Sequence, residues 1–363
     1  MTAAEPFDED RLLASVELLR EAVAAREVPG AVLAVGVGPR TVCSVAAGHL
    51  GTAADAPAVR TSTPFDLASL TKVVATLPAV LCLVEAGEVH LKSRVDPLLP
   101  AFGDKGARRE VTIESLLTHT SGLPSHREYF RQLRGRLLSA AACREELESP
   151  PGSAVRYSDV GFIVLGEVVA AVTGRPFEDA VRELVFEPLG MRATGFCPPP
   201  AVAARTALTT EPETGRPAAG EVHDENCAAL GGVSGHAGLF GEAGDLARYL
   251  AAWAAPGVLV GEELWERALS CQTHGLGGHR GLGWVRRGDP YDHMGRLWPP
   301  SAVGHTGFTG TSLALDPVSG IWLVLLTNAV HLGRGRAPIM ELRRRLHDSV
   351  ASAVDLPGWA GSR

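Results

Sequence analysis

Ser69 and Lys72 stand three residues apart in the segment Phe65-Asp66-Leu67-Ala68-Ser69-Leu70-Thr71-Lys72, at the head of an apolar run whose spacing predicts a helix from Leu70 to Ala86. On a helix that spacing puts the hydroxyl and the ammonium on one face. Lys72 runs straight into Val73, Val74, Ala75 and Leu77, and a cation at the edge of a buried surface is costly unless it is paired or neutralised. The expectation is a lysine of depressed pKa that takes the proton from Ser69, beside a helix N-terminus whose N–H groups face an oxyanion. A helix cap followed by a snorkelling lysine fits the same four residues.

Two further segments weigh against the purely structural reading. Tyr157-Ser158-Asp159 follows the loop Pro151-Gly152-Ser153 and precedes the helical run Val160-Gly161-Phe162-Ile163, so a phenol and a carboxylate sit two apart at a helix entrance. His305-Thr306-Gly307 closes an apparent strand before Phe308-Thr309-Gly310. In order and character the three segments resemble the active-site elements of the serine β-lactamase and penicillin-binding-protein superfamily, class C β-lactamases, serine DD-peptidases and related esterases included. The resemblance covers most of the chain. It extends to Leu83-Val84-Glu85-Ala86-Gly87-Glu88-Val89 and to Ile113-Glu114-Ser115-Leu116-Leu117-Thr118-His119-Thr120-Ser121-Gly122-Leu123-Pro124. His223-Asp224-Glu225-Asn226 with Gly231 to Phe240 is similar to one branch of the superfamily, which contains hydrolases, esterases and penicillin-binding-like proteins.

The resemblance implies an acyl-enzyme on Ser69, formed by attack on an ester or amide carbonyl while Lys72 or the phenolate of Tyr157 takes the proton. It implies an oxyanion hole from the backbone N–H groups of Ser69 and Phe308, with Asp159, His305, Thr306 and Gly307 on the substrate side. Tyr157 then serves the leaving group as acid and the deacylating water as base, a role that needs its pKa lowered by Lys72 or His305. Two positions depart from the penicillin-recognising pattern. Asp159 replaces an asparagine whose amide both donates and accepts, and an ionised carboxylate only accepts. His305 replaces a lysine and carries its charge only when protonated. Small carboxylic esters are therefore the preferred substrates. The alternatives are β-lactams, D-Ala-D-Ala peptides, and a non-catalytic binding protein on the same fold.

The elements that must hold these residues read as a helix over Asp10–Arg26, a hairpin over Ala31–Val37 and Thr41–Ala47, and a mostly helical middle. Helical patterns there cover Val111–Leu117, Val160–Val172, Phe177–Leu189 and Ala243–Ala252. Short strands follow at Gly281–Arg286, Ala302–His305, Ser312–Leu315 and Ile321–Leu326, then a helix at Pro338–Val354. This order predicts an α+β fold of the β-lactamase/transpeptidase type: one catalytic domain over 1–363, its antiparallel sheet lobe (about 1–65 and 270–363) flanked by the terminal helices, its helical lobe (about 66–269) inserted. The cleft between the lobes is the expected site. The loops 124–150, 195–225 and 272–300 would form its walls, and the Pro-rich stretches 149–152 and 197–200 read as loops.

Composition narrows the function classes. The chain has 363 residues, 45% hydrophobic and 21% charged, enough to bury a sizeable core. A net charge of -7 without a Lys/Arg block argues against nucleic-acid partners. The start, MTAAEPFDEDRLLASVELL, lacks the pattern of a secretory signal, and Val73–Val84 is too short to cross a bilayer; the expectation is a cytoplasmic protein acting on a small molecule, with no membrane span. Six cysteines without a CxxC pair read as reduced, mostly buried thiols. His119, His223 and His236 lie in separate loops without metal-ligand spacing, so neither a metal nor another cofactor is expected. Gly238 to Gly244 lacks the lysine of a phosphate loop and reads as a turn into the helix near Asp245.

Overall fold

The run Ile321–Thr327 is apolar at six consecutive positions, a pattern that suits a strand covered on both faces. In the computed structural model, which describes residues 6–103, 105–210, 219–335 and 337–359, it is such a strand. The first five residues of the N-terminal reading and residues 211–218 of the expected cleft wall lie outside the described residues. The strands are β1 (Gly30–Val37), β2 (Arg40–Gly48), β3 (Phe65–Asp66), β4 (Gly195–Phe196), β5 (Leu239–Gly241), β6 (Val285–Arg286), β7 (Val303–Thr306), β8 (Ser312–Asp316) and β9 (Ile321–Thr327).

Six of them form one antiparallel sheet in the order β2-β1-β9-β8-β7-β6. The hairpin β1–β2 meets the C-terminal strands through β1 and β9, with Val32 opposite Leu326 and Val35 opposite Leu323. Side chains alternate across the pleat. Leu33, Val35, Leu323 and Leu325 face the terminal helices Glu9–Ala24 and Ala337–Ser352, where they pack with Leu12, Leu19, Leu342 and Leu346. Val32, Ala34, Val324 and Leu326 face the larger helical core, which includes Leu250 and Trp253 of the helix Ala243–Trp253. Burial of each such leucine contributes about 1.5–3 kcal/mol, and Leu19→Ala would cost about 2–5 kcal/mol through the cavity it leaves. The Ser15 and Ser349 hydroxyls, 2.8 Å apart, tie the two terminal helices together. This is the α+β architecture expected.

Local structure departs from the sequence reading where side chains intervene. The stretch from Leu70 to Ala86 is not one regular α-helix. It is a 3₁₀ turn at Ala68–Leu70, a π-type turn at Lys72–Thr76 and an α-helix only over Leu77–Glu85. Pro78 has no N–H to return to the preceding turn. The Tyr249 hydroxyl donates to the Val73 carbonyl, and the Thr76 hydroxyl donates to Gly235 O at 2.6 Å. The bond to the Val73 carbonyl competes with the helix's own ladder, and a side chain inserted there accompanies a local change of pitch. The same change of pitch divides Phe177–Leu189 into an α-helix to Val181 and a π-type turn over Arg182–Phe186, ahead of Pro188. Continuous helical backbone from Ala68 to Glu85 is long and apolar enough to span a bilayer by length and composition, and 78% of it is buried inside the protein. Its hydrophobicity serves the core.

Smaller corrections have similar causes. The strand expected over Gly281–Arg286 is reduced to Val285–Arg286, because Gly283 at φ +73 sits in a turn closed by Gly281 N–H donating to Trp284 O at 3.0 Å. Pro200 opens a short helix, Pro200–Ala203, where a loop was expected; proline is tolerated at a first helical position. A second sheet, β3-β5-β4, has strands of only two or three residues, too short for any alternation to show. All six cysteines are free, but only Cys143 and Cys227 are buried and Cys197 is exposed, so the mostly buried reading does not hold.

Candidate active site

β3 delivers the chain into a sharp turn at Ala68, whose φ of +47 is unusual for a residue with a side chain. The turn is held by the buried carboxylate of Asp66, which accepts from Ala68 N–H at 2.8 Å and from His223 N–H at 2.7 Å. Burial raises the Asp66 pKa to about 6. The Thr71 hydroxyl donates to Ala68 O at 2.7 Å and accepts from Leu239 N–H at 3.2 Å, tying the turn to β5. Ser69 emerges half-buried at the floor of a cleft of about 350 Å3.

Lys72 is fully buried, and its ammonium is satisfied from three sides: it donates to Ser69 Oγ at 3.0 Å and to the His236 carbonyl at 3.1 Å, and pairs with Asp159 Oδ1 at 2.7 Å. Burial, the largest single influence, works against its charge, but the Asp159 carboxylate and, after it, Tyr157 together outweigh burial and hold the Lys72 pKa above the ordinary lysine value. The expectation of a depressed lysine is thus overturned. Burial alone would have neutralised it, whereas a partner supplied from another segment keeps it charged. Asp159 is correspondingly held well below the usual carboxylate range: burial acts to raise its pKa, and Lys72, His126 and His236 together overcome it.

The helix Asp159–Thr173 places the second motif. Ser158 caps it by accepting from Gly161 N–H at 2.9 Å, and donates its hydroxyl to Pro124 O at 2.6 Å. Ser158 N–H donates to His119 Nδ1 at 3.0 Å. The His119 ring packs against the Tyr157 ring with centroids 4.6 Å apart, so the two fix each other's orientation. Lys72 Nζ lies 4.9 Å from the centre of the Tyr157 ring. Ser69, Lys72, Tyr157 and Asp159, separated by up to 90 positions in sequence, are one cluster.

β7 brings His305, Thr306, Gly307 and Phe308 to the opposite wall, with His305, Thr306 and Phe308 lining the cleft. His305 is buried, with Nδ1 2.9 Å from the Thr306 carbonyl. A carbonyl only accepts, so Nδ1 carries the proton. Burial, then the charges of Lys72 and Arg280, hold the His305 pKa well below the ordinary histidine value. His305 is therefore neutral around pH 7 and does not replace the charge of a lysine there.

Other residues at the cleft were not singled out from sequence. Arg280 is buried; its Nε donates to Asp289 Oδ2 at 3.0 Å, and its guanidinium lies 5.0 Å from the Tyr291 ring centre and 5.9 Å from that of Tyr157. Its Nη1 and Nη2 have no hydrogen-bond partner among the described residues. Exposed His126 faces Asp159 at 3.7 Å, and Arg334 pairs with Glu225 beside Phe308. The only sequence signal for Arg280 and Tyr291 is their place in the expected cleft wall, 272–300. The loop histidines also find roles. His223 stacks on Phe308 with centroids 5.6 Å apart, and His236 lies between Ser234 Oγ at 2.8 Å and Asp224 Oδ1 at 2.9 Å, bracing the carbonyl that receives Lys72.

Comparison with known proteins gives the family and the fold. The Beta-lactamase family model matches residues 16–346, and the chain belongs to that family. It is a serine hydrolase of the β-lactamase and penicillin-binding-protein superfamily. A protein of Escherichia coli (strain K12) named "Putative D-alanyl-D-alanine carboxypeptidase" is 34% identical over 306 residues, 75% of this chain and 70% of the relative. Among solved structures, unliganded simvastatin synthase (LovD) from Aspergillus terreus, in its selenomethionyl form, is similar with a TM-score of 0.76 at 22% identity, covering 94% of this chain and 98% of the other. EstCE1, described as a hydrolase with promiscuous acyltransferase activity, has a TM-score of 0.74 at 24% identity, covering 94% and 98%.

Proposed function

We propose that this protein hydrolyses small carboxylic esters through an acyl-enzyme on Ser69. The observation that carries the reading is the Lys72–Asp159 pair at 2.7 Å, within 3.0 Å of the nucleophile. A lysine held charged cannot accept the serine proton, so that proton passes to the Tyr157 phenolate, while the ammonium stabilises negative charge at Tyr157 and Ser69. The bond from Ser69 Oγ to the carbonyl carbon forms, the oxyanion rests on the N–H groups of Ser69 and Phe308, and Tyr157 returns the proton to the departing alkoxide. Water, deprotonated by Tyr157, then attacks the acyl carbon; the bond to Ser69 Oγ breaks, the acid leaves and Tyr157 returns the proton to Oγ. Asp159 offers no amide donor to an acylamido side chain, and neutral His305 offers no charge to a carboxylate; both favour simple esters.

Arg280 favours a second reading. Its Nη1 and Nη2, buried beside Tyr291 and without a hydrogen-bond partner among the described residues, would be satisfied by a substrate carboxylate that displaces the covering ring, as a D-Ala-D-Ala carboxypeptidase requires. Intact-mass spectrometry after separate incubation with p-nitrophenyl acetate, a fluorophosphonate and a penicillin, with Ser69→Ala as control, separates the readings. A Ser69-dependent adduct with fast ester turnover supports the esterase. A long-lived penicilloyl adduct with slow ester turnover moves the protein to the peptidase reading, and no adduct at all would point to a binding protein.

A further inference from the structure

The carbonyl of residue 307 and the N–H of residue 308 belong to one planar trans peptide, so they point in opposite directions. Whatever fixes the carbonyl aims the amide. The guanidinium of Arg343, 2% exposed on the helix Ala337–Ser352 that covers the opposite face of the sheet, donates from Nη2 to Gly307 O at 2.7 Å and to Thr311 O at 2.8 Å. Gly310 N–H also donates to Gly307 O at 3.2 Å. The turn is stitched to the nucleophile's own loop: Thr309 Oγ donates to Asp66 O at 2.7 Å, and Thr311 Oγ to Leu67 O at 3.2 Å. A Cβ at Gly307 would lie 2.4 Å from Leu67 O, so the two backbones touch. Phe308 lines the cleft together with Ser69.

From this we infer that Arg343 is a positioning residue for the oxyanion hole: it pulls the Gly307 carbonyl away from the cleft and so aims the Phe308 N–H at the carbonyl oxygen of the substrate. A cation bonded to the carbonyl also polarises the peptide and strengthens its N–H as a donor. Arg343 touches no substrate, and its effect belongs to the tetrahedral transition state rather than to ground-state binding. The inference rests on Ser69 being the nucleophile.

The experiment compares Arg343→Met and Arg343→Lys with the unmodified protein on p-nitrophenyl acetate. In parallel it measures inhibition by an aryl boronate, which forms a tetrahedral adduct on serine, and by the corresponding carboxamide, which does not. For Arg343→Met, kcat/KM and boronate affinity should fall together by about 100-fold, the scale of one lost oxyanion donor, with KM and carboxamide affinity little changed. Arg343→Lys, which keeps a cation and a donor, should recover most of the loss. Equal weakening of boronate and carboxamide, or a folded Arg343→Met of full activity, would overturn the inference. Should Arg343→Met fail to fold, the unmodified protein decides: its Phe308 amide proton should move downfield in NMR when the boronate binds, and no movement overturns the inference. An unmodified protein without Ser69-dependent ester turnover sinks the esterase reading instead, and the boronate-induced Phe308 shift still tests this one.

Discussion

Lys72 and Asp159 form an ion pair at 2.7 Å in which the lysine is wholly buried and the carboxylate borders the cleft. The pair explains how a lysine enters an apolar core without losing its charge, and it assigns the two motifs complementary parts. Asp159 neutralises Lys72, and Lys72 in turn donates to Ser69.

The pair has a pH signature. The Asp159 pKa is lowered, so its contribution to stability is present above the unfolded carboxylate value and is lost as pH falls below it; the Lys72 pKa is raised, so its contribution is present below the unfolded lysine value and is lost as pH rises beyond it. Asp159→Ala should therefore cost most between about pH 4 and pH 10, roughly 3 kcal/mol for a buried charge left without its partner. Denaturant melts at pH 3 and pH 7 check this. An equal loss at both would mean that the pair contributes packing and not charge.

Asp159→Asn restores an amide that both donates and accepts, and removes the counter-charge of Lys72. Penicilloylation of Ser69, followed by intact mass, should accelerate at least about tenfold, the worth of one good hydrogen bond to the substrate. Ester turnover should lose its plateau at a lower pH than in the unmodified protein, because Lys72 deprotonates sooner. An unchanged penicillin rate would show that position 159 does not control amide recognition.

Tyr157→Phe removes the proposed base and leaves the ring contact with His119 in place. A fall in kcat/KM of about 100-fold to 10,000-fold is expected, with the melting temperature unchanged. Full ester activity in this variant would transfer the base to another group.

Arg280→Met separates the two substrate readings. If a substrate carboxylate reaches the unpartnered guanidinium nitrogens, KM for D-alanyl-D-alanine peptides should rise by about tenfold or more, while p-nitrophenyl acetate, which has no carboxylate, is hydrolysed as before. An equal effect on both substrates would assign Arg280 to packing beneath Tyr291 and Tyr157.

Four buried histidines, His119, His293, His305 and His347, all have pKa values lowered chiefly by burial, that of His293 to about 3. Each favours the folded state above the unfolded histidine value, about 6.5, and that contribution is lost as pH falls through it. The melting temperature should decline from about pH 6.5 downward. Because His347 lies outside the cleft, with Nε2 3.3 Å from Ser312 Oγ, His347→Gln should flatten that decline without changing activity at pH 7.5. A decline of unaltered slope would place the acid sensitivity elsewhere.

Much was legible in the sequence because it depended on chain order and periodicity. The Val- and Ala-rich segment Ala31–Val37 ahead of the Gly38-Pro39 turn and the apolar run Ile321–Leu326 announce strands, and the order of Ser69, Lys72, Tyr157 and His305 announces a class of chemistry. Residue type also marked Asp159 and His305 as departures from the penicillin-recognising pattern. Tertiary structure alone decided what those residues are. The charge of Lys72 depends on a carboxylate 87 positions away and on the His236 carbonyl. The neutrality of His305 depends on burial beside two cations. The Val73 carbonyl in the π-type turn at Lys72–Thr76 is taken by Tyr249, and the 307–308 peptide is gripped by Arg343 from the other face of the sheet. Periodicity is a property of neighbours along the chain, and it survives in the sequence. Protonation state and amide direction are set by fields and contacts between distant segments, and those exist only once the chain has folded.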